Sequence, residues 1–264
     1  MKRAPERRLK TVDRVISKAG YGSRTEARRW IGAGRVRVNG KLIHTPDHWV
    51  DIERDQVTLD GRPLRPRKRL YLLLYKPRGY ITTYQDPRGR PTVYDLIREV
   101  DQFVVPVGRL DLDTSGLLLL TNDTQFAEHI MNPEHSVPKT YLVKCGDVLT
   151  AEQIQALRQG VQLKDGPTLP AVVNRIRDSG TCTFLEITIT EGRNRQVRRM
   201  VEAVGSKALK LVRTAIGPVR IGDLKIGEWR PLTAEERKAL AGSHPGRRRP
   251  QPHPDTSCAA RRNL

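Results

Sequence analysis

The densest polar segment of the chain is residues 108–116, Gly-Arg-Leu-Asp-Leu-Asp-Thr-Ser-Gly, which lies between two apolar runs of strand length. Asp111 and Asp113 are two residues apart, so an extended backbone would project both carboxylates to one side, together with Arg109. A carboxylate whose charge is favoured by a nearby cation can act as a nucleophile or a general base. Alternatively, the segment is a turn whose Asp, Thr and Ser side chains bond their own backbone. The residues alone leave both interpretations open.

The motifs that would indicate a metal or a nucleotide cofactor are absent from the sequence. Neither G-x-x-x-x-G-K-[ST] nor G-x-G-x-x-G occurs, so neither nucleotide hydrolysis nor a dinucleotide cofactor is predicted. None of the six histidines stands in an H-E-x-x-H pair, and the three cysteines are far apart. We therefore expect no metal site and no disulfide framework, and any catalysis must use carboxylate, hydroxyl or cationic side chains.

The charge of the chain points to a polyanionic partner. The 264 residues include 48 Lys and Arg against 29 Asp and Glu, a formal net charge of +19 that suits nucleic acid or an anionic membrane surface. No apolar run approaches the roughly 18 residues of a membrane-spanning helix, and the basic N-terminus lacks the apolar stretch of a signal peptide. We therefore expect a cytoplasmic protein that meets nucleic acid and no membrane.

The positive charge is concentrated at the two ends of the chain. The first seventy residues contain 19 basic and 8 acidic residues, whereas the long middle is nearly balanced. This distribution predicts a basic binding module with its linker over residues 1–69, a larger body over 70–242 and a basic tail over 243–264. The stretch 60–69 is interpreted as the linker, and the Pro- and Arg-rich tail is expected to be disordered.

The N-terminal module is predicted to contain two helices followed by a hairpin. Ser23 and Glu26 form a capping-box pattern at the start of the second helix, and Asn39-Gly40 is a strong hairpin turn. Few acidic residues accompany the basic ones, which favours phosphate contact over a merely solvated face. The basic residues of this module predicted to contact RNA are Lys18, Arg24, Arg28, Arg29, Arg35 and Arg37.

Residues 19–40, A-G-Y-G-S-R-T-E-A-R-R-W-I-G-A-G-R-V-R-V-N-G, resemble the S4 RNA-binding domain. The resemblance implies RNA with structured, A-form elements as the partner. A DNA-binding helix-turn-helix is the alternative for the two helices. The hairpin that follows them, and the absence of an obvious dimer face, favour RNA.

The body is predicted to belong to the α+β class. Its apolar runs of strand length outnumber its helical patterns and do not alternate with them as βαβ units would. A mixed, mainly antiparallel sheet with peripheral helices fits this order best. The predicted strands span residues 70–75, 103–107, 117–121, 141–144, 183–190 and 209–215. The predicted helices span residues 125–131, 151–158 and 194–204.

Residues 108–119 match G-R-L-D-x-x-T-S-G-L-L-L at every specified position, and this motif resembles the signature of RNA pseudouridine synthases. With the S4-like module, the resemblance to the RsuA-type ribosomal RNA pseudouridine synthases covers roughly residues 10–235. The remaining family-like motifs are K-P-x-G at 76–79, D-P-x-G-R-x-T-V at 86–93, T-N-D at 121–123, K-T-Y at 139–141 and E-G-R-N-R-Q-V-R-R-M at 191–200.

The resemblance implies an isomerase that converts a uridine of ribosomal RNA to pseudouridine without a cofactor. Asp111 would be the essential carboxylate, which attacks C1′ of the uridine or removes the C2′ proton. Arg109 would help hold the target nucleotide out of the helix, Tyr141 would pack on the flipped base, and Arg198 would pair with the catalytic carboxylate. Asp113 matches a variable position and is left out of the catalytic set. Further basic residues predicted to contact RNA are Lys76, Arg193 and Arg195.

The resemblance also indicates the partner. The D-P-x-G-R-x-T-V and D-T-S-G-L-L-L-L-T-N-D stretches are more similar to the large-subunit branch of the family, so 23S rRNA is favoured over 16S rRNA. We expect action on pre-ribosomal particles and, by default, a monomer. A non-catalytic ribosome-binding factor is the alternative, and the intact Asp111, Tyr141 and Arg198 argue against it.

Overall fold

The fold is taken from a computed structural model, which describes residues 9–65 and 67–242. The predicted basic tail, residues 243–264, lies outside the described residues, as do residues 1–8 and residue 66.

The N-terminal module contains two helices packed against short strands. Ser23 caps the second helix: its Oγ accepts from the amide of Glu26 at 3.1 Å, and the Glu26 carboxylate accepts from the amide of Ser23 at 2.8 Å. Asn39 and Gly40 both have positive φ, 50° and 82°, as a two-residue hairpin turn requires. The elements are β1 (Leu9–Thr11), α1 (Val12–Lys18), α2 (Arg24–Gly32), β2 (Val36–Val38), β3 (Lys41–Leu42), β4 (Trp49–Asp51), β5 (Val57–Leu59) and β6 (Arg62–Pro63). The second helix and the hairpin therefore form as the sequence predicted.

The stretch interpreted as a linker instead contacts the rest of the protein on both sides of residue 66. Strand β6 pairs with β5, so the stretch begins inside the N-terminal sheet. Farther along, the Arg67 guanidinium lies 4.7 Å from the centre of the Tyr21 ring and donates to the carbonyl of Asp101 at 2.8 Å. Arg69 then forms an ion pair with Asp123 at 3.0 Å. Like-charged residues suggested a solvated linker, but aromatic and acidic partners elsewhere in the chain hold them.

The body is built on one large sheet. Its strand order is β13-β14-β10-β15-β9-β7-β17, with β8 beside β9 and β16 beside β15. All neighbours are antiparallel except β15 and β9, which run parallel. The strands are β7 (Tyr71–Lys76), β8 (Val105–Pro106), β9 (Ser115–Thr121), β10 (Lys139–Cys145), β13 (Val172–Ser179), β14 (Cys182–Ile189), β15 (Ala208–Ile216), β16 (Val219–Arg220) and β17 (Trp229–Pro231), and a separate hairpin pairs β11 (Gln162–Leu163) with β12 (Gly166–Pro167). The predicted α+β class, with a mixed and mainly antiparallel sheet, is confirmed.

Four helices pack on the two faces of this sheet. They are α3 (Thr124–Met131), α4 (Ala151–Gln159), α5 (Gln196–Ala203) and α6 (Ala234–Ala241). Helices α4 and α5 cover the face of β10, β14 and β15 that carries Val143, Leu185 and Leu211. Helices α3 and α6 cover the opposite face at the β7–β9 end, where Leu73 and Leu117 are buried. Each half of the sheet thus has its own apolar core.

Candidate active site

The segment 108–116 is a turn that enters β9. The amide of Thr114 donates to the carbonyl of Asp111 at 3.1 Å, so the predicted extended backbone is replaced by a turn. Gly116 has φ of +119°, and a Cβ at this position would meet the backbone of Arg213 on β15. Only glycine permits this close approach of the two parallel strands, so the end of the turn is fixed at the middle of the sheet.

The side chain of Lys76 donates hydrogen bonds to the backbone of the turn. The side chain is fully buried, and its Nζ donates to the carbonyls of Pro77 at 3.0 Å, Asp111 at 3.0 Å and Thr114 at 2.8 Å. Burial lowers the pKa of Lys76 to about 8, although the nearby Asp111 and Asp113 carboxylates partly oppose the shift. The prediction that Lys76 contacts RNA is therefore wrong, because the ammonium is inaccessible and all three of its donors are used inside the protein.

Thr82 holds the other side of the turn. Its Oγ1 donates to the carbonyl of Leu110 at 2.9 Å and accepts from the amide of the same residue at 3.2 Å. The amide of Gly79 donates to the carbonyl of Leu112 at 2.8 Å. The backbone on both sides of Asp111 is thus anchored, which leaves its carboxylate as the group that projects from a rigid turn.

Two arginines at the start of α5 approach the two carboxylates. Arg195 makes two hydrogen bonds to Asp113, at 3.1 and 3.3 Å, and its Nη1 lies 3.7 Å from Oδ2 of Asp111. Arg198 Nη2 lies 3.3 Å from the Asp113 carboxylate and donates to the carbonyl of the same residue at 3.0 Å. The direct ion pair of Arg198 is therefore with Asp113, so its predicted pairing with Asp111 is wrong and Arg195 is the cation nearest to Asp111.

The pKa values of these groups follow from the pairing. Burial alone would raise the pKa of Asp113, but the hydrogen bonds from Arg195 and the charge of Arg198 outweigh it and lower the pKa. Burial is also the largest influence on Arg198, and it lowers the pKa of that guanidinium. Asp113 is therefore a fixed anion that holds both arginines beside Asp111. Sequence reasoning missed this role because it depends on where α5 begins.

The turn forms one wall of a cleft of about 940 Å³. Asp111, Arg109 and Tyr141 all line it, so the structure brings together three of the four residues predicted to act on the nucleotide. Lys139 and Arg213 line it as well. Burial and the positive charge of Arg213 lower the pKa of Lys139 to about 8. Lys139 could have been recognised as a site residue from its place in the K-T-Y motif. Arg213 belongs to no such motif, because it lies within a largely apolar strand.

The predicted RNA contacts of the N-terminal module are exposed, and three of them are ion-paired. Arg24 and Arg28 both bind the fully buried carboxylate of Asp13, at 2.8 and 3.0 Å, and Arg35 pairs with Asp60 at 2.6 Å. Acidic partners are thus present where the sequence suggested that they were scarce. The predicted contacts without such a pair in the described part of the chain are exposed as well: Lys18, Arg29 and Arg37.

Arg193 does not fit the predicted RNA contact. Its Nε donates to Glu191 at 3.0 Å, and its two other nitrogens donate to the carbonyls of Gly166 at 3.0 Å and Pro167 at 2.6 Å. These contacts hold the β11–β12 hairpin against the loop before α5. We correct the prediction accordingly: Arg193 supports the fold.

Within residues 9–65 and 67–242, His, Cys, Asp and Glu side chains form no group of three or more that could hold a metal ion. No helix in that part of the chain is both long enough and apolar enough to cross a bilayer.

Comparison with known proteins places these features in a family. Residues 70–203 match the family model for RNA pseudouridylate synthase, and residues 11–57 match the S4 domain. The chain belongs to the RNA pseudouridine synthases. Among relatives, the synthase is 39% identical over 235 residues to a protein of Bacillus subtilis named ribosomal large subunit pseudouridine synthase B, with 88% of this chain and 96% of that protein covered. It is also 39% identical over 226 residues to an RNA pseudouridine synthase of Aquifex aeolicus, with 85% of this chain and 91% of that protein covered.

A solved structure supports the fold of the synthase as well. A crystal structure of a pseudouridylate synthase superimposes with a TM-score of 0.62 at 32% identity. The match covers 87% of this chain and 99% of the other, so it includes both the S4 domain and the body.

A partly buried hydrogen bond connects the S4 domain of the synthase to the loop beside the active-site cleft. Tyr84 lies between Thr83 and Gln85, which both line the cleft, and its hydroxyl donates to the Glu26 carboxylate at 2.7 Å. Burial, together with the Glu26 carboxylate, raises the pKa of Tyr84 to about 12, so the hydroxyl keeps its proton at neutral pH. The second carboxylate oxygen of Glu26 caps α2, the helix that carries Arg24 and Arg28. The contact therefore links a predicted RNA-binding helix to the cleft wall.

We expect Tyr84→Phe to lower the single-turnover rate on rRNA about threefold to tenfold, because a part of the about 1.5–3 kcal/mol that a hydrogen bond to a charged group contributes to stability is lost from the positioning of the cleft wall. Tyr94→Phe is the matched control, since the Tyr94 hydroxyl donates to the carbonyl of Val104 within the body and its ring packs against Tyr84. Single-turnover rates and urea unfolding are measured for both variants. Equal losses of rate in the two would show that the effect is one of general stability.

Proposed function

We propose that this synthase isomerises one specific uridine of 23S rRNA to pseudouridine, with Asp111 as the essential carboxylate. The observation that carries the proposal is the placement of Asp111: its carboxylate lines the cleft with 31% of the side chain exposed, while Lys76 anchors its carbonyl. The large-subunit assignment rests on similarity to the Bacillus subtilis protein named ribosomal large subunit pseudouridine synthase B.

The reaction breaks one bond to C1′ of the sugar and forms another bond to the same carbon. The N1–C1′ bond of the uridine breaks, the base turns, and C5 bonds to C1′. The C5 proton leaves and N1 gains a proton, so that the product is an isomer of the uridine. Asp111 assists either by attacking C1′ or by removing the C2′ proton, and it must be ionised for both. Arg195 places a cation 3.7 Å from its Oδ2, and Asp113 keeps Arg195 in place.

The target base must leave the RNA helix before it can turn, at a cost of a few kcal/mol. Tyr141, on the cleft wall formed by β10, offers a ring on which the flipped base stacks, which offsets about 1–3 kcal/mol of that cost. Arg109 is exposed beside it and helps hold the nucleotide in the cleft.

The S4 domain adds phosphate contacts through Lys18, Arg29 and Arg37. This enzyme acts in the cytoplasm, on pre-ribosomal particles, as a monomer.

Mapping pseudouridine in 23S and 16S rRNA from cells with and without the gene tests the proposal. We expect one 23S site to lose its pseudouridine, and to regain it when the wild-type chain, but not Asp111→Asn, is supplied. All 16S sites serve as the internal control and should keep their modification. Loss of a 16S site instead would overturn the large-subunit assignment, and restoration by Asp111→Asn would favour a non-catalytic role.

A further inference from the structure

A row of cationic and aromatic side chains crosses four strands on the sheet face opposite the cleft. Arg177 on β13 is paired with Phe184 on β14, Phe184 with Lys144 on β10, and Lys144 with Lys210 on β15. Successive residues of a strand point to opposite faces. Because Tyr141 of β10 lines the cleft, Lys144 lies on the other face of the sheet.

The charges in this row are not neutralised. The Arg177 guanidinium lies 4.5 Å and the Lys144 ammonium 5.8 Å from the centre of the Phe184 ring. Lys144 and Lys210 are directly opposite each other, an arrangement that destabilises a sheet. Within residues 9–65 and 67–242, Arg177, Lys144 and Lys210 form no ion pair with a carboxylate. The acidic residue nearest to the row along β14 is Glu186, two residues from Phe184 on the same face of the strand.

A groove of about 440 Å³ runs beside the row. It is bordered on one side by Lys144, Phe184 and Lys210, and on the other by Arg220 and Tyr75. Helices α3 and α6 cover this face of the sheet only at the β7–β9 end, around Leu73 and Leu117. Half-exposed aromatic and aliphatic groups flanked by cations suit a ligand with both phosphates and flat bases.

We propose that this row is a second RNA-binding site, which takes a single-stranded segment of the RNA. Lys144, Lys210 and Arg177 bind phosphates, and a base stacks on Phe184, as in other sequence-tolerant binders of single strands. An RNA backbone between Lys144 and Lys210 relieves their mutual repulsion, which explains why like charges face each other there. The site rests on the proposed RNA substrate, but it does not depend on the chemistry at Asp111.

The test uses the full-length protein and a fluorescein-labelled 12-nucleotide oligouridine, titrated by anisotropy across a salt series. Lys144→Gln/Lys210→Gln should raise Kd about tenfold and lower the slope of log affinity against log salt by about 0.7 for each contact removed. The matched control is Lys225→Gln/Lys238→Gln, which removes the same charge from two exposed lysines outside the row. Glu186→Gln should act in the opposite direction and tighten binding.

Two further measurements separate the site from the fold and from the cleft. The thermal midpoint of Lys144→Gln/Lys210→Gln should be unchanged or higher, because a repulsive pair has been removed. Photocrosslinking with 5-iodouridine in the oligonucleotide should label Phe184, in the wild type and equally in Asp111→Asn. Unchanged Kd and salt slope, equal losses in the lysine control, or no crosslink on β14 would each overturn the proposal. None of these results bears on whether Asp111 is catalytic.

Discussion

Replacing Asp111 with Asn is expected to abolish isomerisation, with a loss of at least about 10³-fold in single-turnover rate. The amide keeps the shape of the side chain on a turn that Lys76 and Thr82 hold rigid, but it loses the charge needed at the sugar. RNA affinity should stay the same or rise, since an anion beside the RNA has been removed. Release of tritium from rRNA that carries 5-tritiated uridine measures the reaction.

Asp113→Asn is the control for this experiment. Asp113 is 37% exposed and lies on the same turn, but its carboxylate is occupied by Arg195 and Arg198. We expect its loss to reduce the rate about tenfold, because the arginines remain near Asp111 but are less well held. Near-normal tritium release by Asp111→Asn, or a larger loss in Asp113→Asn, would mean that the essential carboxylate has been assigned to the wrong residue.

Lys76→Met is expected to produce the largest loss of stability. The substitution removes a donor from three carbonyls, of which that of Asp111 keeps the Thr114 amide, and each group left unsatisfied costs about 1–3 kcal/mol. The free energy of unfolding in urea should fall by about 3 kcal/mol or more, and the rate should fall because the backbone of Asp111 has lost its anchor. Lys238→Met, at an exposed position, should change neither quantity. Wild-type stability in Lys76→Met would contradict the structural role.

The pH dependence of unfolding gives an independent check on Lys76. Its pKa of about 8 in the folded protein is below the ordinary 10.5, so the native state releases this proton first as pH rises. Between pH 8 and 10.5 the unfolded state binds more protons, and the stability contribution of this group therefore increases with pH. The lowered pKa of Lys139 also makes stability increase with pH in this window. Lys76→Met should therefore reduce the pH dependence of the free energy of unfolding without removing it.

The elements that sequence analysis predicted well are those with strong local signals. Strands β9, β10 and β15 follow apolar runs, and the capping box at Ser23 fixes the start of α2. Strand β13 was not predicted, because Val172–Ser179 forms the exposed edge of the sheet and has little apolar alternation. Helix α6 was also missed, since most of Ala234–Ala241 is exposed and only Leu240 is fully buried.

Several of the predicted motifs line one cleft, but some contacts between them differ from those predicted. The K-P-x-G motif indicates a turn, but nothing in it shows that the Lys76 side chain points inward beneath another loop. The carboxylate with which Arg198 pairs depends on where α5 begins. Arg195, the residue before that helix, has φ of +49°. Such a left-handed residue redirects the chain in a way that the motif E-G-R-N-R-Q-V-R-R-M does not reveal.

The parallel pairing of β9 with β15 sets the order in which this enzyme becomes active during its own synthesis. Ser115 and Gly116, at the end of the Asp111 turn, pair with Val212 and Arg213, about a hundred residues later in the chain. A nascent chain that ends before β15 carries the carboxylate but no neighbouring strand to fix the turn or complete the cleft. Since chains emerge from the N-terminus, the RNA-binding S4 domain folds first and the cleft closes near the end of translation. The synthase therefore gains affinity for RNA before it gains the ability to modify it.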